Sequence, residues 1–475
     1  MTYETAIGLA MLGVMLAAIF IGFPISFTLL FLAFAFGWWG LGDIVFNLAY
    51  FQTIGLMKES LLAAVPLFIF MGFVAEQAGL MERLFASLRL LLAPVRGSLF
   101  IVVLVTAAAF AMATGIVGAA VTVLGIMAAP IMMRAGYDGQ LAAGAITAGG
   151  TLGILIPPSV MLIVMGPVLG VSVADLYAAA IVPGFMLAGM YVIYVTVRSF
   201  INPKLGPALP KEERPQSIWP ALGAFFVGVV PLAGLVAATL GSILAGLATP
   251  TEAAGMGAAG ALILAAAYGR LTWAGFQRAL MRSLATSSMV LVLALTANIF
   301  GAVFARLGAA DWITETLLAL PLPPALMLVL VTVLIFLLGW PFEWPAVILV
   351  FLPIFYPVVN GLGVDLVWFG ALVAVTLQTA YLSPPVAMSA YYLKQVAKGW
   401  SLLTIYKGMF QFMGIQIVAI GLIFLFPAIA TWLPDYLFRS GALVVSEPPT
   451  TRSSDPLGES YEQMYQRSLK SLPAQ

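Results

Sequence analysis

Cysteine and histidine are both absent from this sequence, and only 8% of its residues are charged. The first absence excludes disulfides, thiolate nucleophiles and iron–sulfur ligation, and the second excludes Ser-His triads, His-bound zinc and imidazole proton relays. A soluble chain carries about 25% Asp, Glu, Lys and Arg, so the scarcity of charge excludes a water-soluble fold. The P-loop signature is missing as well, which removes ATP as a direct energy source. A net charge of +1 offers no field to attract nucleic acid. What is present is 63% apolar residues over 475 positions, with a mean hydropathy of +1.09. The chain reads as an integral membrane protein in a lipid bilayer, and not as an enzyme.

A membrane helix needs ~20 apolar residues, whereas a membrane strand alternates over ~10. Apolar runs at 6–39, 61–79, 98–133, 140–169, 176–199, 218–247, 254–269, 285–305, 323–359, 366–393 and 408–433 therefore predict an all-α polytopic protein. The run 6–39 is one tilted helix or two short ones kinked at Pro24. No Lys or Arg precedes Lys58, so a cleavable signal peptide is not expected and the first helix is read as an anchor. The expected division is 1–60, N-terminal membrane helices; 61–200, first repeat; 201–217, a Pro-rich cytoplasmic loop; 218–284, connecting scaffold helices and an arm; 285–433, second repeat; and 434–475, a polar tail.

Placing most of the basic residues on the cytoplasmic side requires 98–133 and 323–359 each to enter and leave on one face, as re-entrant hairpins. Internal repetition supports this independently. Pro130 and Pro357, Asp138 and Asp365, and Pro157-Pro158 and Pro384-Pro385 are all 227 positions apart, and Ser172 and Ser401 follow at 229. Five crossings between the hairpins turn the second repeat upside down. Inverted repeats with interrupted helices are the architecture of secondary transporters.

Interrupted helices free carbonyls and amides at membrane depth, which survive only inside protein or around a polar cavity. Each hairpin tip and its broken helix combine such carbonyls with hydroxyl or amide oxygens, the ligands a hard cation takes, so each pair is a candidate sodium site. The first expected site comprises Thr114, Gly115, Gly118, Gly150, Thr151, Gly153 and Pro157. The second comprises Gly339, Glu343, Gln378, Thr379, Ser383 and Pro384. Half-helix amino ends between them favour an anionic substrate, with Ser159, Ser389, Tyr392 and Lys394 as candidate contacts. Sodium ions are expected as coupling ions, with no other metal and no organic cofactor.

The run GGTLGILIPPSVMLIVMGPVLGVSVADLYAAAIVPG (149–184), with VPLFIFMGFVAEQAGLMERLF (65–85), GLATPTEAAGMGAAGALILA (246–265), ILVFLPIFYPVV (348–359) and LSPPVAMSAYYLK (382–394), resembles the large, DctM-type membrane subunit of tripartite ATP-independent periplasmic (TRAP) transporters. The resemblance implies an elevator-type, sodium-coupled importer of organic acids in the bacterial inner membrane. It also implies two partners, a small four-helix membrane subunit (DctQ type) and a periplasmic substrate-binding protein (DctP type). Two departures stand out: the first tip, Ala113-Thr114-Gly115-Ile116-Val117, has few hydroxyls, and the second is the bulky Trp340-Pro341-Phe342-Glu343-Trp344-Pro345. Aromatic residues near Tyr381, Tyr391 and Tyr392 suggest a monocarboxylate, 2-oxo acid or aromatic acid rather than a sugar acid.

Plainer roles compete for several residues. Thr249-Pro250-Thr251-Glu252 is a capping-box pattern, Ser172 and Asp175 read as a cap, the glycines suit close packing, and Lys394 suits a positive-inside anchor. The arm 81–96, with Arg83, Arg89 and Arg96, reads as an amphipathic surface helix whose second-half analogue is 271–284. Two other functions fit part of the pattern. A stand-alone sodium/dicarboxylate symporter shares the hairpins and needs no binding protein, and an intramembrane aspartyl protease would use Tyr137-Asp138 and Asp365.

Overall fold

The computed structural model describes residues 2–208, 218–384 and 387–439. The polar tail from residue 440, most of the 201–217 loop, and Pro385 lie outside the described residues. Every regular element among them is helical, and eight segments are long and apolar enough to cross a membrane. The fold is an all-α polytopic membrane protein with inverted repeats, two re-entrant hairpins and two broken helices.

Three helices begin the chain, α1 (Tyr3–Ile21), α2 (Ile25–Leu41) and α3 (Ile44–Met57). The 6–39 run is thus two helices. Gly22 closes α1 at a left-handed φ of 103°, a conformation in which a Cβ would be strained, and Pro24 opens α2.

The first repeat then runs through α4 (Ala64–Gln77), α5 (Leu80–Leu91), α6 (Ser98–Thr114), α7 (Val117–Arg134), α8 (Gly139–Thr151), α9 (Val160–Leu169) and α10 (Val173–Ile201). The connecting helices are α11 (Ile218–Val236), the single turn α12 (Ser242–Leu244) and α13 (Pro250–Ala267). The second repeat comprises α14 (Trp273–Arg306), α15 (Ala309–Leu318), α16 (Pro324–Leu338), α17 (Trp344–Ala346), α18 (Leu352–Gly361), α19 (Leu366–Gln378), α20 (Met388–Val396) and α21 (Leu402–Leu425), with α22 (Ala428–Pro434) behind it.

Helices α8 and α19 start and stop at the same offset of 227 as the sequence landmarks, and so do the 3-10 turns that break them, 152–154 and 379–381. Asp138 and Asp365 occupy the same role in each, accepting backbone N–H bonds of 2.8 Å from Leu141 and from Val367. These are N-caps, and a cap explains both aspartates without proteolysis. Asparagine at either position is expected to preserve the fold, whereas Asp138→Ala should cost about 1 kcal/mol in detergent unfolding. Cleavage of a membrane peptide that Asp138→Asn abolishes would contradict the cap reading.

Two features of the repeat differ from the sequence expectation. Residue 284 is not a boundary, because α14 runs unbroken through it for 34 residues. The counterpart of the arm α5 is α15, not 271–284. Both helices follow a left-handed glycine, Gly79 and Gly308, at corresponding places before the hairpins. The Arg-rich pattern of 271–284 imitates the arm, while its register assigns it to the first half of α14.

The core lies around α8 and α19, where every residue from Leu141 to Thr151 and from Val367 to Gln378 is buried. Small residues make this possible. At Gly144 and Gly408 the backbones of α8 and α21 approach so closely that a Cβ on Gly144 would lie 2.7 Å from the Gly408 carbonyl oxygen. The capping box at Thr249 and Glu252 is present, with Thr249 N donating to Glu252 Oε2 over 2.8 Å, and Ser172 caps α10.

Candidate functional site

A cavity of about 380 Å³ lies where the two hairpin tips meet the two broken helices. Its walls include Gly115 to Gly118 from the first tip, Glu343 to Pro345 from the second, and Ile154 and Tyr381 from the breaks. Tyr392 of α20 closes one side. The opposite side belongs to other helices, with Ile69 from α4 and Thr286 and Met289 from α14.

The first tip is a two-residue break, Gly115-Ile116, between α6 and α7. Gly115 is left-handed (φ 59°), and a Cβ there would stand 3.6 Å from the Pro158 carbonyl oxygen and 3.7 Å from that of Gly153. The structure therefore brings Gly115, Gly153 and the Pro157-Pro158 segment together, with carbonyl oxygens facing the tip. The other expected members of this set are distributed differently. Gly150 packs under Val121, Thr151 donates its hydroxyl to the Ala148 carbonyl over 2.8 Å, and Gly118 lies beneath the Tyr392 ring, 2.9 Å from a built Cβ to Cζ. The side chain of Thr114 lies outside the described residues.

The second tip spans five residues, Gly339 to Glu343, before α17. Gly339 rests against Ala380 of the second break, 3.2 Å from a built Cβ to its methyl. Thr379 donates to the Thr376 carbonyl (2.6 Å) and Ser383 to the Thr379 carbonyl (2.7 Å), which leaves hydroxyl lone pairs beside Pro384. Gln378 is fully buried, and its Oε1 accepts from Gln416 Nε2 at 3.4 Å. Glu343 reaches the cavity, whereas Gln378, Thr379 and Ser383 do not.

The break carbonyls of the two repeats are capped in the same way. Ser159 donates to the carbonyl of Ile154 and Ser389 to that of Tyr381, two residues at the 227 offset. Both serines are thus committed to the backbone. Lys394 is committed too, because its ammonium donates to the Trp400 carbonyl over 2.7 Å and is absent from the cavity wall. Of the three tyrosines noted in the sequence, Tyr381 and Tyr392 line the cavity, and Tyr391 faces away, 45% exposed.

Sequence reasoning missed the wall contributed by α4 and α14, because contacts between distant helices leave no local pattern. It also missed Gln416 and Tyr191, which stand with Thr151 and Gln378 in one buried polar cluster. Gln416 had a legible signal, an amide inside a long apolar helix.

Among the described residues Glu343 is the only charged group on the wall. With Glu343 ionised, a bare carboxylate about 5 Å from it would be repelled by about 3 kcal/mol at an effective dielectric constant of about 20. An ionised Glu343 would then call for a compensating positive charge beside any acid that binds.

Comparison with known proteins agrees with this architecture. The Alcanivorax borkumensis YdaH transporter superposes with a TM-score of 0.60 at 18% identity, covering 83% of this chain and 90% of that one. The sialic acid TRAP transporter large permease protein SiaM of Vibrio cholerae is 29% identical, over 90% of this chain and 98% of its own. The C4-dicarboxylate TRAP transporter large permease protein DctM of Rhodobacter capsulatus is 28% identical, over 90% and 99%. Residues 12–429 match the DctM component of the tripartite ATP-independent periplasmic transporters, and the chain belongs to that family of large permease subunits.

Proposed function

We propose that this subunit imports an organic acid anion across the bacterial inner membrane, driven by a sodium gradient, after a periplasmic binding protein delivers it. A small four-helix membrane subunit completes the assembly. The observation that carries the reading is the convergence of both tips and both breaks on one cavity, with carbonyl oxygens of Gly153 and Pro158 turned toward Gly115. Such a site suits a sodium ion, since hard cations take oxygen ligands and half-helix carboxyl ends add negative potential.

Coupling follows from shared geometry. Ions that order the tips also shape the cavity, so ion and substrate each raise the other's affinity. The cavity lies between the core, built on α8 and α19, and the helices α4 and α14. That position suits an elevator, in which the core carries the loaded cavity past the scaffold.

The test is uptake of labelled organic acids into proteoliposomes holding this chain, its small subunit and the binding protein. Uptake is expected to need both an inward sodium gradient and the binding protein. Uptake that survives removal of the binding protein would place the chain with stand-alone symporters, and uptake indifferent to sodium would remove the coupling ion.

A further inference from the structure

The chemistry of the cavity wall points beyond a simple anion. Glu343 is the one charged wall residue described, and neither a hydrogen bond nor a cation engages its carboxylate among the described residues. The lysine closest to it in sequence on α20, Lys394, is held by the Trp400 carbonyl. Around the same carboxylate stand three aromatic side chains, Trp344, Tyr381 and Tyr392. Trp344 follows Glu343 directly in the chain, and Tyr381 and Tyr392 share the cavity wall with it.

A carboxylate among aromatic side chains is an arrangement that attracts a cationic nitrogen, through the ring quadrupoles and direct charge attraction in a partly desolvated site. It is ill suited to a second carboxylate. We infer that the substrate of this cavity is a zwitterion, a carboxylate that also carries an ammonium or quaternary ammonium group. The nitrogen lies against Glu343, Trp344, Tyr381 and Tyr392, and the substrate carboxylate lies toward the first tip and the amino end of α9. The inference rests on the transport reading above and specifies its substrate class. It also replaces the sequence expectation of Glu343 as a sodium ligand, since Glu343 lines the cavity apart from Gln378, Thr379 and Ser383.

The test uses isosteric pairs that differ only in a positive nitrogen against a neutral carbon. Trimethylammonioacetate is paired with tert-butylacetate, and trimethylammoniopropionate with tert-butylpropionate. Binding is read by isothermal titration calorimetry on the complex of this chain with its small subunit in nanodiscs, in sodium chloride and without the binding protein. At least one zwitterion is expected to bind roughly 10-fold or more tightly than its isostere, a size reasonable for a desolvated cation–aromatic site. Glu343→Gln should erase that preference, and Glu343→Asp should retain part of it. Sodium-dependent thermal stabilisation should survive in both variants.

Equal or tighter binding of the neutral isosteres overturns the inference, as does a preference that Glu343→Gln leaves intact, or loss of sodium stabilisation in that variant. Failure of all four probes to bind a complex that still takes up labelled organic acids also overturns it while sparing the transport reading. Absence of any uptake would remove both.

Discussion

Replacement of Gly115 by valine is expected to abolish sodium-driven uptake in a chain that still folds. Gly115 occupies the left-handed region at φ 59°, where a Cβ costs about 1–2 kcal/mol. A Cβ alone would sit at ordinary contact distance from the carbonyl oxygens of Pro158 and Gly153, 3.6 and 3.7 Å away. Valine extends two methyl groups beyond that point, and at least one must push an oxygen aside. If these oxygens ligate sodium as proposed, loss of one or two of them plus the backbone strain should lower sodium affinity by roughly 100-fold, equivalent to about 2.7 kcal/mol. Gly115→Ala adds only the strain and should fall in between, at roughly 5- to 30-fold. Sodium titration of thermal stability would separate an ion defect from a substrate defect. Normal sodium dependence in the valine variant would show that the tip does not hold the ion.

The largest loss of stability is expected at Gly408. A Cβ there would overlap the Gln140 carbonyl oxygen and stand 2.8 Å from the Gly144 amide nitrogen. Both are backbone atoms of α8, which is buried on all sides and cannot retreat. Overpacking of a core usually costs 1–3 kcal/mol, and Gly408→Ala should cost at least about 3 kcal/mol because no flexible side chain can absorb the clash. Gly414, on the same helix, has open space around a built Cβ. Gly414→Ala is therefore a matched control, expected to be neutral or mildly stabilising through helix propensity. Monodispersity and thermal midpoint in detergent check both. Equal behaviour of the two variants would mean that α8 and α21 can part without cost.

These two glycines show what the sequence could and could not convey. The paired aspartates and prolines set a register that the helices follow residue for residue, so α8, α19 and their breaks are legible in the sequence. Gly115 was legible as a turn at the hairpin tip, though the sequence alone suited close packing equally well. Gly408 was not, because GxxxF within an apolar helix looks the same whether it meets lipid or a neighbouring backbone. At Gly118 and Gly150 the space a Cβ would take is filled by Tyr392 and Val121, a packing demand that sequence proximity to the tip does not reveal. For the arm, charge spacing points to 271–284 whereas register points to α15. Pairing between distant helices, such as Gln378 with Gln416, is a property of packing and leaves no trace in either segment alone.

Helix α14, at 34 residues, is about 51 Å long at 1.5 Å per residue, well beyond the ~30 Å hydrocarbon layer. Its cavity face, Ala285, Thr286, Met289 and Val290, offers a single hydroxyl and otherwise only aliphatic or thioether surface. Dispersion forces there are short-ranged and non-directional, so one register of contact is replaced by the next without breaking a hydrogen bond. In the elevator proposed above, such a face would act as a low-friction track, and resistance to movement along it would come from lipid and from the two tips rather than from the helix itself.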